Sequence, residues 1–130
     1  GHGAVNFERS LAESCDVYYY DMAQKVGIEK IAEMGRKLGL GIRHDLPMSA
    51  VTAAIMPDKA WKMETYKQEW RIGDTINASI GQGYVLASPL QLAVMTARIA
   101  SGRAVVPRLV GYGWRSIVGR LRLVAYRWSV

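Results

Sequence analysis

The chain has 130 residues, half of them apolar, with a formal net charge of +6. That length and apolar share suit one domain with a single core and exclude a tail or linker. Residues 111–130 hold Arg115, Arg120, Arg122 and Arg127 and no acid, so the first 110 residues are close to neutral and lack the basic stripe of a nucleic-acid-binding face.

In chain order, Asn6 is a good N-cap for a short helix from Phe7 to about Glu13, because its side chain can accept from an unsatisfied backbone N–H. Asp16 is a second N-cap candidate, and Tyr19, Met22, Ala23 and Val26 follow the spacing of one apolar helical face that Gly27 ends. A further helix is predicted from about Ile28 to Leu38, with Ile28, Ile31, Ala32 and Leu38 inward and Gly39 as its stop. Residues 39–57, with Gly39, Gly41, Pro47 and Pro57, read as a connection over the surface.

A short helix fits Asp58 to Tyr66, whereas Trp70 to Val85, with Gly73, Gly81 and Gly83 among polar residues, reads as a folded loop. Ser88 opens the clearest helix: Ser88 and Gln91 form a capping box, Pro89 takes the first helical position, and Leu90, Ala93, Val94 and Ala97 make the apolar stripe up to Gly102. Beyond it, 104–110 is β-branched and apolar enough for a strand that Pro107 restricts to an edge or a strand start.

Several function classes lack the residues they need. Cys15 is the one cysteine, so no internal disulfide is expected, and His2 and His44 stand at no ligand-like spacing from it, so neither a zinc site nor any other cofactor is expected. No stretch approaches the roughly 20 apolar residues of a membrane span, and no signal-peptide pattern opens the chain. His2 and His44 read as surface or loop residues, Cys15 as a small buried hydrophobe, and Tyr18, Tyr19 and Tyr20 as packing residues that point in different directions from one helix.

Taken bare, Ser14-x-Asp16 between two helices is what capping alone would produce. The surrounding motifs change its meaning. Gly1-His2-Gly3, Asn6-Phe7-Glu8-Arg9-Ser10-Leu11, Glu13-Ser14-Cys15-Asp16 leading into the tyrosine run, Gly73 to Gly83, and Ala87-Ser88-Pro89-Leu90-Gln91 occur in that order over residues 1 to about 110. In that order they resemble the penicillin-binding transpeptidases, and the Asp of the Ser-x-Asp motif with Trp61-Lys62 and Trp70 resembles the elongation-type subgroup, penicillin-binding protein 2.

The resemblance implies an α+β parent fold of the serine β-lactamase kind, of which this chain would hold a mostly helical part. It implies acyl transfer through a serine acyl-enzyme, with Ser14 as a proton relay to the leaving amine and Asp16 as a contact to the substrate peptide. A hydroxyl suits a relay because it donates and accepts without changing charge. Gly81, Gln82 and Gly83 would be architectural, since glycine allows close backbone approach. The implied partners are peptidoglycan stem peptides, β-lactams and membrane proteins of the elongation machinery, with no nucleic acid, at the periplasmic side of the inner membrane.

No serine in the chain has a lysine three residues on, and no Lys-Ser/Thr-Gly triplet occurs, so the family's nucleophile and third motif lie outside it. The chain therefore reads as an internal fragment, inactive alone and of low stability because apolar faces would stay in water. Residues 111–130, basic and aromatic without an acid, read as an atypical tail of out-of-frame or truncated origin. Their alternative is a membrane-associating amphipathic helix, with Ile117, Leu121 and Val124 on one face, which would make the chain a non-catalytic interaction module.

Overall fold

The computed structural model describes residues 2–47, 51–113 and 122–129. Six helices precede two strands: α1 (Phe7–Ala12), α2 (Asp16–Val26), α3 (Ile28–Lys37), α4 (Lys59–Tyr66), α5 (Ile72–Ser79), α6 (Pro89–Ser101), β1 (Val106–Gly113) and β2 (Arg122–Ser129). The expected helical character and the strand after α6 are both present.

Local chemistry accounts for most of the boundaries. Asn6 Oδ1 accepts from the Arg9 N–H at 2.8 Å and opens α1. Asp58 opens α4 in the same way, accepting from the Trp61 N–H at 2.8 Å. At α6 both halves of the capping box form: Gln91 N–H donates to Ser88 Oγ at 3.2 Å, and Ser88 N–H donates to Gln91 Oε1 at 3.0 Å.

The stretch 70–85 is not a loop, because α5 occupies Ile72–Ser79. Asp74 Oδ2 reaches back to the Arg71 N–H at 2.8 Å, supplying the cap that the glycines and polar residues hid. The buried face of α5 is Thr75 and Ala78, and Thr75 is acceptable there because its Oγ1 accepts from Trp70 Nε1 at 2.8 Å. Asp16 is the first residue of α2 and not its N-cap; Cys15 holds that place, with no side-chain cap bond.

The core gathers Ala23 of α2, Ile28 and Ala32 of α3, Ala78 of α5 and Val94 of α6, joined by Leu46, Met56 and Val105. Residues 39–57 do not simply cross the surface, since His44, Leu46, Met56 and Pro57 are all buried. His44 is correspondingly not a surface residue: its Nε2 lies 3.0 Å from the Gly39 carbonyl, which satisfies the ring inside. On α6, Gln91 and Val94 are buried while Ala93 faces solvent, which narrows the expected stripe.

Gln91 is fully enclosed and its Nε2 donates to Ile42 O at 2.9 Å and Ala53 O at 2.7 Å, stitching the long connection to α6. Gly41 passes so close to Met56 that a Cβ there would lie 2.5 Å from the Met56 Cβ. Strands β1 and β2 pair antiparallel, from Val106 opposite Ser129 to Gly113 opposite Arg122. Val124 thus lies in a strand and the amphipathic-helix reading of the tail does not hold there; Ile117 and Leu121 lie outside the described residues.

Candidate active site

The α1–α2 junction carries the Ser-x-Asp motif on a tight turn. Ser14 has a φ of 50°, a left-handed conformation uncommon for a residue with a side chain. Two backbone bonds impose it, from the Ser14 N–H to Leu11 O at 3.3 Å and from the Cys15 N–H to Ser10 O at 2.9 Å. The turn directs Cys15 inward, where it is 6% exposed, and leaves Ser14 and Asp16 in solvent. The expected burial of Cys15 as a small hydrophobe is met.

Ser14 and Asp16 open onto one cleft of about 560 Å³, lined also by His2, Val5, Tyr18 and Asp21. Asp16 sits in the first turn of α2, where the helix dipole favours a carboxylate. Asp21 is paired with Lys25 at 2.6 Å. Glu13 accepts from Arg9 Nε at 2.8 Å and lies 3.9 Å from His2 Nδ1; His2 is an exposed loop residue, as expected, and also lines the cleft. The arrangement offers a hydroxyl that can pass a proton and a carboxylate that can accept a peptide N–H. Among the described residues no lysine lines the cleft.

Gly81, Gln82 and Gly83 do not line this cleft. They terminate α5: the Gln82 N–H donates to Asn77 O at 2.9 Å, and the chain turns with φ values of 71° at Gly81 and 70° at Gly83. A Cβ on Gly83 would stand 3.2 Å from the Asn77 Cβ, so this position combines a left-handed turn with close approach.

Behind the cleft, the tyrosine run divides as helical geometry requires. Tyr18 lines the cleft, whereas Tyr19 lines a separate small cavity at the seam between α2 and α5, together with Ala78 and Ser79. The Ser10 hydroxyl donates to Phe7 O at 2.6 Å, which leaves its oxygen to accept from the Tyr19 hydroxyl at 3.1 Å.

An ion pair that no sequence motif announces joins Lys62 to Asp74. Lys62 is 3% exposed, and its Nζ donates to Asp74 Oδ2 at 2.5 Å while standing 5.5 Å from the Tyr84 ring centroid and 5.9 Å from that of Trp70. Burial pushes the Asp74 carboxyl up, but the Lys62 ammonium and the Arg71 N–H outweigh it and hold Asp74 below the usual carboxylate range. The only cue in the sequence was the juxtaposition of Trp61-Lys62 and Trp70, because nothing local pairs residues 62 and 74.

Comparison with known proteins matches these features to one family. The family model described as penicillin binding protein transpeptidase domain matches residues 1–115. The peptidoglycan D,D-transpeptidase MrdA of Acinetobacter baumannii is 40% identical over 111 residues, 85% of this chain and 16% of that protein. MrdA of Escherichia coli K12 is 37% identical over 111 residues, again 85% of this chain and 18% of its own length. Among solved structures, penicillin-binding protein 2 of Helicobacter pylori in complex with MreC superposes with a TM-score of 0.75 at 39% identity, covering 78% of this chain and 19% of that one. The chain thus spans less than a fifth of these relatives. On the match over residues 1–115, with the Ser-x-Asp turn and the capped helices in order, the chain belongs to the penicillin-binding protein transpeptidase family.

Proposed function

We propose that the chain is a segment of a peptidoglycan D,D-transpeptidase and supplies the second motif of its active site. The observation that carries this reading is that Ser14 and Asp16 open onto one cleft while the residue between them points into the core. In this reading a serine outside these 130 residues attacks the D-Ala-D-Ala carbonyl, the peptide C–N bond breaks, and the proton for the departing amine passes through the Ser14 hydroxyl. Asp16 holds the peptide through its N–H groups. Gly81, Gln82 and Gly83 shape the end of α5 and touch no substrate.

The same reading divides the chain into a transpeptidase segment, 1–110, and a basic tail, 111–130, supported by the four arginines that the last twenty residues hold without an acid. The substrates are peptidoglycan stem peptides, with β-lactams as their mimics. The relative solved in complex with MreC supports membrane proteins of the elongation machinery as partners. Function at the periplasmic face of the inner membrane fits those relatives, and the anchor would lie outside the described residues, among which no helix is long and apolar enough to cross a membrane.

A fluorescent penicillin tests both halves of the proposal. The 130-residue chain should remain unlabelled, because covalent capture needs the nucleophile. A chimera carrying residues 1–110 in place of the matching stretch of the Acinetobacter protein should be labelled, and Ser14→Ala should slow that labelling by about 100-fold or more, the range of a positioned proton donor. Labelling of the isolated chain, or a Ser14→Ala chimera acylated at the parent rate, would overturn the assignment.

A further inference from the structure

We infer that the Ser14–Cys15–Asp16 turn is held by a buttress running from the Lys62–Asp74 ion pair through α5 to Tyr19 and Ser10, which makes Lys62 and Tyr19 positioning residues for the proposed site. The inference rests on the assignment of Ser14 and Asp16 to that site. A left-handed serine persists only when its surroundings over-determine it.

Ser10 is the near end of the buttress. It is fully buried, its carbonyl accepts the Cys15 N–H at 2.9 Å, and its hydroxyl oxygen accepts from Tyr19 at 3.1 Å. One residue therefore couples the turn to the α2–α5 seam. Tyr19 in turn lines one small cavity with Ala78 and Ser79, near the C-terminal end of α5, and its helix α2 packs on α5.

The far end fixes where α5 begins. The Asp74 carboxylate accepts from Lys62 Nζ at 2.5 Å and from the Arg71 N–H at 2.8 Å, while Trp70 Nε1 donates to Thr75 Oγ1 at 2.8 Å. Lys62 is buried with its ammonium over the Trp70 and Tyr84 rings, so removing that ammonium leaves Asp74 without its charged partner and frees the first turn of α5 to move. Movement of α5 shifts the helix against which α2 packs, and with α2 move Tyr19 and its bond to Ser10.

Cys15 is a built-in reporter, buried between the two residues whose placement is in question. In the purified chain, labelling of Cys15 by an aromatic disulfide should speed up about fivefold in Tyr19→Phe, the loss of one net hydrogen bond. Lys62→Met should raise it at least tenfold, Lys62→Arg should fall between, and the Tyr19→Phe/Lys62→Met pair should label no faster than the larger single variant by more than about twofold. Amide exchange in α6 should stay at the parent level throughout.

A Tyr19→Phe rate equal to the parent's, effects that multiply in the double variant, or parent Cys15 labelling as fast as in the unfolded chain would each overturn the inference. If Lys62→Met loses α6 protection as well, it has unfolded globally, and Tyr19→Phe decides the question alone because it deletes a single hydroxyl. None of these readouts involves acylation, so failure here is distinguishable from failure of the chimera.

Discussion

Gln91 gives the most direct test of how this small core is held together. It is fully buried and makes three side-chain bonds, donating to Ile42 O and Ala53 O and accepting from the Ser88 N–H. Gln91→Leu preserves the volume and removes all three, but the backbone half of the capping box survives because the residue's own N–H still donates to Ser88 Oγ. Leaving two carbonyls without this donor at about 1 kcal/mol or more each, together with the lost cap bond, predicts destabilisation of about 3 kcal/mol.

Gln91→Glu sharpens the test because it keeps the acceptor facing Ser88 and turns a carboxylate toward the two carbonyls. Burial and those oxygens raise the folded-state pKa of the new carboxyl above its unfolded value of about 4.3. The native variant then binds more protons than the unfolded chain between these values, so its stability relative to the parent falls as pH rises from 5 to 7. Urea unfolding followed by far-UV circular dichroism at both pH values measures each effect. A Gln91→Leu variant within about 1 kcal/mol of the parent would refute the reasoning. So would a Gln91→Glu penalty no larger at pH 7 than at pH 5.

The parent should lose stability in acid for the opposite reason. At Asp58 burial works upward, but the Trp61 N–H, Arg36 and the Ala60 N–H outweigh it, and at Asp74 the Lys62 ammonium and Arg71 do the same, so both folded values are depressed. Their contribution is present above the unfolded carboxylate value of about 3.9 and is lost as pH falls through the lower folded values. Asp74→Asn should remove part of that acid dependence and cost about 3 kcal/mol near neutrality, since it leaves the Lys62 charge buried and unpaired; denaturation at pH 3 and 7 checks both. Gly41→Ala, at a φ of 64° and with its new Cβ 2.9 Å from Met56 N, should lose about 2 kcal/mol or more in thermal melts. Ser88→Ala should cost about 1 kcal/mol, the worth of an N-cap, in the same assay.

What could be read in advance follows from where each signal resides. The start of α6 was legible because Ser88, Pro89 and Gln91 cap one another within four consecutive residues. Helix α5 was not, because its cap is Asp74 inside the helix, its buried face includes a polar Thr75, and the Trp70 indole that makes Thr75 acceptable belongs to the preceding segment. His44 was misplaced for a related reason: a histidine becomes a core residue only when a carbonyl such as that of Gly39 is brought to it. At the proposed site, Ser14 and Asp16 stand out as a motif, yet the conformation of Ser14 and the direction of Cys15 arise from the junction of two helices. The Lys62–Asp74 pair spans twelve positions and two helices, so no local window contains it.

The pairing of β1 with β2 has a consequence for how copies of the chain behave toward one another. In a two-stranded ladder both strands are edges, and each presents outward-facing backbone groups that no neighbour satisfies within the pair. Such a ribbon can recruit a third strand from any extended segment in solution. Pro107 blunts this on β1, as it has no N–H to offer. Among the described residues β2 has no proline, so recruitment should begin on its free side, and self-association should grow with concentration.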